Sequence, residues 1–336
     1  MTSRKPLKSH PRPKAKPTRQ ALGTRALRPT PLLNSGDRAA LISPSSHQGR
    51  SPTSYLPDSV LLLTGWGLEV EPLPSPEPRH LFFAGDDTSR AQAFQRLYLD
   101  PAIRALFVSR GGYGAARILP LLDAKRIAAA PPKAVVGFSD ATALFCYLHA
   151  VAGTQTIHGP ALAAPGALTS GSRQENLAAL NRLLFEPGFH PKFGMRHFAG
   201  PVPAAPVRGR VIGGCLSVLV TMIGTPWAPD PRGAILFLED VGEPPYRIDR
   251  MLTHLRLAGL FEGLRAIVFG HLERCDEDPP GPLHEALRDG LGGLKIPVFT
   301  GMQAGHGEPN LAFPLGALAE IQVLAGENGA ARLEFL

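Results

Sequence analysis

The chain of 336 residues is long enough for two ordinary domains, each burying its own core. Its 44% hydrophobic and 19% charged residues are those of a globular protein, and no run nears the ~18 consecutive apolar residues that a membrane span needs. The net charge of +7 comes from residues 1–36, which hold nine Lys or Arg and no acid; the remainder, with 26 basic and 28 acidic residues, has no nucleic-acid footprint.

Residues 1–36 are rich in Pro and lack an apolar period, so they are expected to form a disordered basic tail. The tail has no hydrophobic h-region and does not read as a secretory signal. Cys146, Cys215 and Cys275 are scattered, with no C-x-x-C pair. That pattern fits reduced thiols in a cytoplasm rather than a disulfide frame or a zinc knuckle.

From Gly36 onward the chain alternates between strand and helix. Strands are predicted over 38–43, 68–72 and 103–109, with helices over 56–65 and 87–99. A glycine-rich turn, Arg110-Gly-Gly-Tyr-Gly-Ala-Ala-Arg117, then leads into a helix ending near 122. This alternation predicts parallel strands joined by crossover helices, a Rossmann-like α/β domain over 37–165. Its ligands should meet the carboxyl ends of the strands. The turn has part of a dinucleotide fingerprint, but Arg117 stands where close helix–strand packing wants Gly or Ala. No nicotinamide cofactor is expected.

Next comes Lys133-Ala-Val-Val-Gly-Phe-Ser139-Asp140-Ala-Thr-Ala-Leu-Phe-Cys-Tyr-Leu148. A short β-branched run leads into Ala141, Leu144, Phe145, Leu148 and Val151, which share one helix face. Ser139 between them either caps the helix or sits on a nucleophile elbow, with its hydroxyl exposed at the strand's end. In the second case the N–H of Asp140, and one from the consecutive glycines of the preceding turn, could receive an oxyanion.

Residues 166–206, dense in Pro and Gly around one helix over 173–185, read as a linker. A second series fills 207–336: strands over 207–213, 234–239, 266–271 and 296–300, helices over 215–223, 246–259 and 283–291, and closing strands over 317–324 and 331–336. This gives a second, β-rich α/β domain. One strand ends in Glu239-Asp-Val-Gly-Glu243, and another leads into Gly305-His306-Gly-Glu-Pro-Asn310. A serine needs an imidazole to take its proton and a carboxylate to orient that imidazole. Ser139, Glu239 and His306 occur in that order at strand ends. Glu243 is the rival for the acid. His271, His284 and the acids over 273–278 have no metal-ligand spacing.

Four motifs taken together, Arg110-Gly-Gly-Tyr-Gly, Gly137-Phe-Ser-Asp, Leu238-Glu-Asp-Val-Gly-Glu-Pro-Pro-Tyr-Arg-Ile-Asp-Arg250 and Gly305-His-Gly-Glu-Pro-Asn310, resemble the LD-carboxypeptidases along roughly 37–336. The resemblance implies a serine peptidase with Ser139 as nucleophile, Glu239 as acid and His306 as base. It implies an oxyanion hole near Gly112 and Asp140, a site shared between two domains, a homodimer and no metal. The implied substrate is a murein tetrapeptide whose terminal D-alanine is released. The alternative is a peptidase of the microcin-resistance type, which cuts an amide next to a nucleotide. Arg247, His158 and Asn310 are candidates for substrate contact, Arg247 also being placed for a helix-start ion pair with Glu243. Relatives often read Gly-Gly-Asn-Leu where this chain has Gly213-Gly-Cys215-Leu.

Overall fold

The computed structural model describes residues 26–47, 56–74, 78–163, 171–277, 280–326 and 329–336. The first half runs β1 (Arg38–Ile42), α1 (Leu56–Gly65), β2 (Glu69–Glu71), α2 (Asp87–Leu99), β3 (Ile103–Val108), α3 (Ala115–Ile118) and α4 (Ala124–Ala129). It continues with β4 (Ala134–Gly137), α5 (Ala141–Val151), β5 (Thr156–His158) and α6 (Arg173–Phe185). The second half runs β6 (Lys192–Ala199), β7 (Val207–Cys215), α7 (Leu216–Met222), β8 (Ala234–Val241), α8 (Pro245–Leu257), β9 (Ala266–Glu273) and α9 (Pro282–Leu291). It closes with β10 (Val298–Thr300), β11 (Phe313–Leu315), β12 (Leu318–Val323) and β13 (Ala330–Phe335).

The first sheet has the order β11-β5-β4-β3-β1-β2, parallel throughout except for β11. Its central strands β1, β3 and β4 are apolar on both faces, as a sheet covered on both sides requires. Ala40, Ile42, Leu106, Val108 and Val135 face α2 and α5, while Leu41, Phe107 and Val136 face Leu63 of α1 and Leu177, Leu180 and Leu184 of α6. The second sheet closes on itself in the order β10-β6-β13-β12-β7-β8-β9, so none of its strands is left as an edge. Strands β7 to β10 run parallel, and β6, β12 and β13 close the circle antiparallel. The expected β-rich second domain is thus a mixed barrel. Its interior is continuous with the apolar layer beneath α5.

The division of the chain differs from the expected one in two places. Residues 166–170 of the expected linker lie outside the described residues, and 171–206 are no simple linker: α6 covers the first sheet, and β6 is a full barrel strand between β10 and β13. In β6, Phe193 and Met195 point inward with exposed neighbours between them, a strand period set among prolines and glycines. In turn, β11 returns from the second half to pair antiparallel with β5, so the two halves share a sheet.

The tail also needs correction. Residues 1–25 lie outside the described residues, but 26–36 pack on the body. The Arg28 guanidinium donates to the carbonyls of Ala130 (3.2 Å) and Ala152 (2.9 Å), and its backbone exchanges hydrogen bonds with Gly153 and Gln155. Leu33 is buried, and its N–H donates to the Leu184 carbonyl (2.8 Å). Hydrogen bonds to a charged donor are worth about 1.5–3 kcal/mol, so Arg28→Ala should lower the melting temperature by several degrees in calorimetry. An unchanged melting temperature would show that this strap adds nothing to the fold.

Candidate active site

The elbow is built as the local sequence requires. Between β4 and α5, Ser139 takes a left-handed backbone with φ of 61°, a conformation that costs a residue with a Cβ about 1–2 kcal/mol. Its hydroxyl does not cap α5; its carbonyl instead accepts from the Thr142 N–H (2.9 Å). A Cβ on Gly137 would stand 2.9 Å from Val108, and one on Gly111 would stand 2.8 Å from the Ser139 Cβ. Only glycines allow the strand and the glycine-rich turn to approach the serine this closely.

Asp140 turns toward the start of α3. It is buried, and its carboxylate accepts from the Ala115 N–H (2.8 Å), tying the elbow to the turn that precedes α3. Burial raises its pKa above the usual carboxylate range, partly offset by the Ala115 N–H that it accepts and by the charge of Arg90. Ser46 fixes the other side of the turn, accepting from the Tyr113 N–H (3.2 Å) and donating its own N–H to Gly111 (3.4 Å). The backbone N–H groups of Gly112 and Asp140 have no hydrogen-bond partner among the described residues. Arg117, the residue that spoils the dinucleotide fingerprint, pairs with Asp87 and stacks over Phe83.

The barrel supplies the rest. Glu239, near the carboxyl end of β8, has no solvent exposure. Its Oε2 accepts both the backbone N–H of His306 (3.1 Å) and the His306 ring at Nδ1 (2.7 Å). The other ring nitrogen, Nε2, lies 3.1 Å from the Ser139 hydroxyl. An imidazole so bridged between a hydroxyl and a carboxylate has its tautomer fixed and can take the hydroxyl's proton. Gly305, at φ of 112°, is needed because a Cβ there would stand 2.7 Å from Glu239 Oε2. Burial pushes the His306 pKa down, but the hydrogen bond and charge of Glu239, with Asp240 behind it, outweigh burial and hold it above the ordinary imidazole value. Arg274 opposes them.

The other candidate residues fall elsewhere. Glu243 does not reach His306; it pairs with Arg247 (2.7 Å) at i,i+4, so Arg247 is committed to an ion pair at the start of α8. His158 is buried, stacked on Phe313 with centroids 4.9 Å apart and edge-on to Phe237. Desolvation pushes its pKa down to about 3, so it is a neutral ring packed among aromatic side chains. Asn310 is also buried. Its side chain accepts from the Gly305 N–H (3.0 Å), bracing the loop that carries His306.

Two further residues hold that loop, neither of them expected there. The Asn176 side chain on α6 accepts from the Asn310 N–H (2.8 Å), and the His271 ring contacts the Pro309 carbonyl (2.9 Å). Asn176 lies in the expected linker and His271 at a strand end, each without a motif of its own. The thiols of Cys146, Cys215 and Cys275 are free and buried. Among the described residues no cluster of His, Cys, Asp and Glu could hold a metal ion, and no helix is long and apolar enough to cross a membrane.

Comparison with known proteins agrees with this architecture. Residues 39–159 match the model of the LD-carboxypeptidase N-terminal domain, and 208–321 match that of the C-terminal domain. A candidate carboxypeptidase of Streptomyces coelicolor is 38% identical over 88% of this chain and 93% of its own. The murein tetrapeptide carboxypeptidase of Pseudomonas aeruginosa is 32% identical over 85% of this chain and 93% of its own. The microcin C7 self-immunity protein of Escherichia coli is 30% identical over 69% of this chain and 75% of its own. Among solved structures, muramoyltetrapeptide carboxypeptidase from Oxalobacter formigenes superposes with a TM-score of 0.76 at 29% identity, covering 89% of this chain and 98% of that one. The chain belongs to the LD-carboxypeptidases, a family of serine carboxypeptidases.

Proposed function

We propose that this enzyme releases the terminal D-alanine from murein tetrapeptides by an acyl-enzyme route. The observation that carries the reading is the unbroken contact from the Ser139 hydroxyl through His306 to the buried Glu239 carboxylate. His306 takes the proton of Ser139 as its oxygen attacks the carbonyl of the L-centred third residue. The N–H groups of Gly112 and Asp140 receive the oxyanion. His306 then gives the proton to the departing D-alanine nitrogen, and the C–N bond breaks. A water deprotonated by the same ring attacks the ester and frees Ser139. The three buried, unpaired thiols fit a reducing cytoplasm, where recycled murein fragments would be met.

The substrate is tested by incubating the enzyme with a tetrapeptide, with a pentapeptide ending D-Ala–D-Ala, and with an aminoacyl-nucleotide amide, and weighing the products. The terminal bond of the pentapeptide has a D-centre on its acyl side, which misplaces the carbonyl. A misplacement of about 1 Å can cost ~10²-fold. D-alanine should come from the tetrapeptide, with little from the pentapeptide. Preferred cleavage of the nucleotide amide would favour the microcin-type reading instead.

The relay gives a second test. Ser139→Ala should lower kcat by on the order of 10⁴ or more. Because its ring is held above the usual ~6.5, His306 must lose its proton before it can act as base. The rate should therefore rise with pH through an apparent pKa above that value. The sign is reversed for stability: the contribution of the raised His306 is complete below the unfolded pKa and is lost as pH rises through the folded one. Glu239→Gln removes the charge that raises the ring, so it should move the acid limb to lower pH and cut kcat by about 10⁴. Glu243→Gln should change kcat less than about tenfold. Reversed outcomes for the two glutamates would refute the assignment of the acid.

A further inference from the structure

Arg274 directly follows β9 and stands beside the end of β8, where Leu272 and Glu273 are in register with Asp240 and Val241. Its backbone is left-handed, with φ of 52°. The turn is pinned there because the Glu273 carbonyl accepts both the Gly242 N–H (2.8 Å) and the Cys275 thiol (3.4 Å), and Cys275 is wholly buried. A glycine would make this turn without strain, and side-chain-bearing residues held in such conformations gather at functional sites. The Arg274 side chain is exposed and has no hydrogen bond or ion pair among the described residues. Arg247 and Arg117, by contrast, are tied to carboxylates.

The position of Arg274 relative to the chemistry gives it a role. Three residues earlier, His271 donates its backbone N–H to Ala304 (2.9 Å) while its ring meets the Pro309 carbonyl, so β9 holds the His306 loop on either side of that residue. Arg274 thus follows the strand that braces the His306 loop and lies beside the end of β8, the strand that carries Glu239; its charge disfavours the His306 imidazolium. In peptide acyl transfer, the ring that took the serine proton returns it to the departing amine. The departing residue must therefore lie on the His306 side of Ser139, and one carbon separates its nitrogen from its α-carboxylate. We propose that Arg274 receives that carboxylate and so reads the free C-terminus of the substrate. A guanidinium suits the task because it can grip both carboxylate oxygens at once. The proposal rests on the roles given above to Ser139 and His306.

The test compares the wild type with Arg274→Gln on a tetrapeptide ending in D-alanine and on its C-terminal amide. The wild type should prefer the free acid by about 10- to 100-fold in kcat/KM, the range expected for a charge-assisted hydrogen bond. Arg274→Gln should lose that factor on the acid and stay within about twofold of the wild type on the amide. Arg274→Lys should recover part of the preference. A variant that keeps the wild-type preference, or that slows equally on both peptides, would overturn the proposal while leaving the proposed function standing. A wild type inactive on both would overturn the two together.

Discussion

The buried carboxylate of Glu239 dictates the arrangement around it. A carboxyl group without exposure needs partners in place of water, and its Oε2 here takes two donors from the same residue, the backbone and ring of His306. That double contact fixes both where the His306 loop lies and which way its ring points. Gly305 is imposed by it, since any side chain there would strike the carboxylate. The loop's other supports, Asn310 within it, Asn176 from α6 and His271 from β9, keep the histidine at that depth. The ring can then meet Ser139 only if the first sheet is held against the barrel.

That second condition is met by contacts that do no chemistry. The Cys215 N–H donates to the Thr142 hydroxyl (3.0 Å), joining the end of β7 to the first turn of α5. Gly214 leaves room for it, a Cβ there standing 2.5 Å from the same oxygen. The Cys215 side chain points toward Asp240 (3.7 Å) beneath the site, buried, its pKa raised well above the ordinary thiol value by desolvation and by the charges of Glu239 and Asp240. Asp240 in turn accepts from the Ser217 N–H (2.7 Å) at the start of α7. Cys215 therefore belongs to the packing between the halves.

What the sequence could reveal depended on the range of the interaction. The elbow was legible because strand, glycine, serine and helix lie within a dozen residues, and because the alternative, a capping serine, predicts a different backbone. Glu239 and His306 were legible from the chemistry that Ser139 needs. For His158, Asn310 and Arg247 the sequence left the role open for one reason: a polar residue near a motif can serve substrate or scaffold, and burial or a partner must be seen to choose. His158 is enclosed by Phe138, Phe237 and Phe313, which come from three separate parts of the chain. The strand β6 was hidden by the prolines around it, and β11, at three residues, is too short to carry a period. In the tail, composition pointed to disorder, while Arg28 found two carbonyls more than a hundred residues away.

The direction of the strands explains why the site lies where it does. Parallel strands in one sheet end on the same edge, and ligand-binding residues collect beyond that edge because the loops there are free to vary. In the first sheet, β3 leads into the glycine-rich turn and β4 into Ser139. In the barrel, β8 carries Glu239 near its end, β9 runs into Arg274, and β10 runs into the loop holding His306. Five parallel strands from two sheets thus bring their carboxyl ends toward the triad. The antiparallel strands β6, β12 and β13 contribute none of these side chains; they close the barrel and leave β8, β9 and β10 without a free edge. The parallel arc is therefore free to be shaped by the chemistry, while the antiparallel arc makes the barrel rigid enough to hold a histidine within hydrogen-bonding distance of a serine on another sheet.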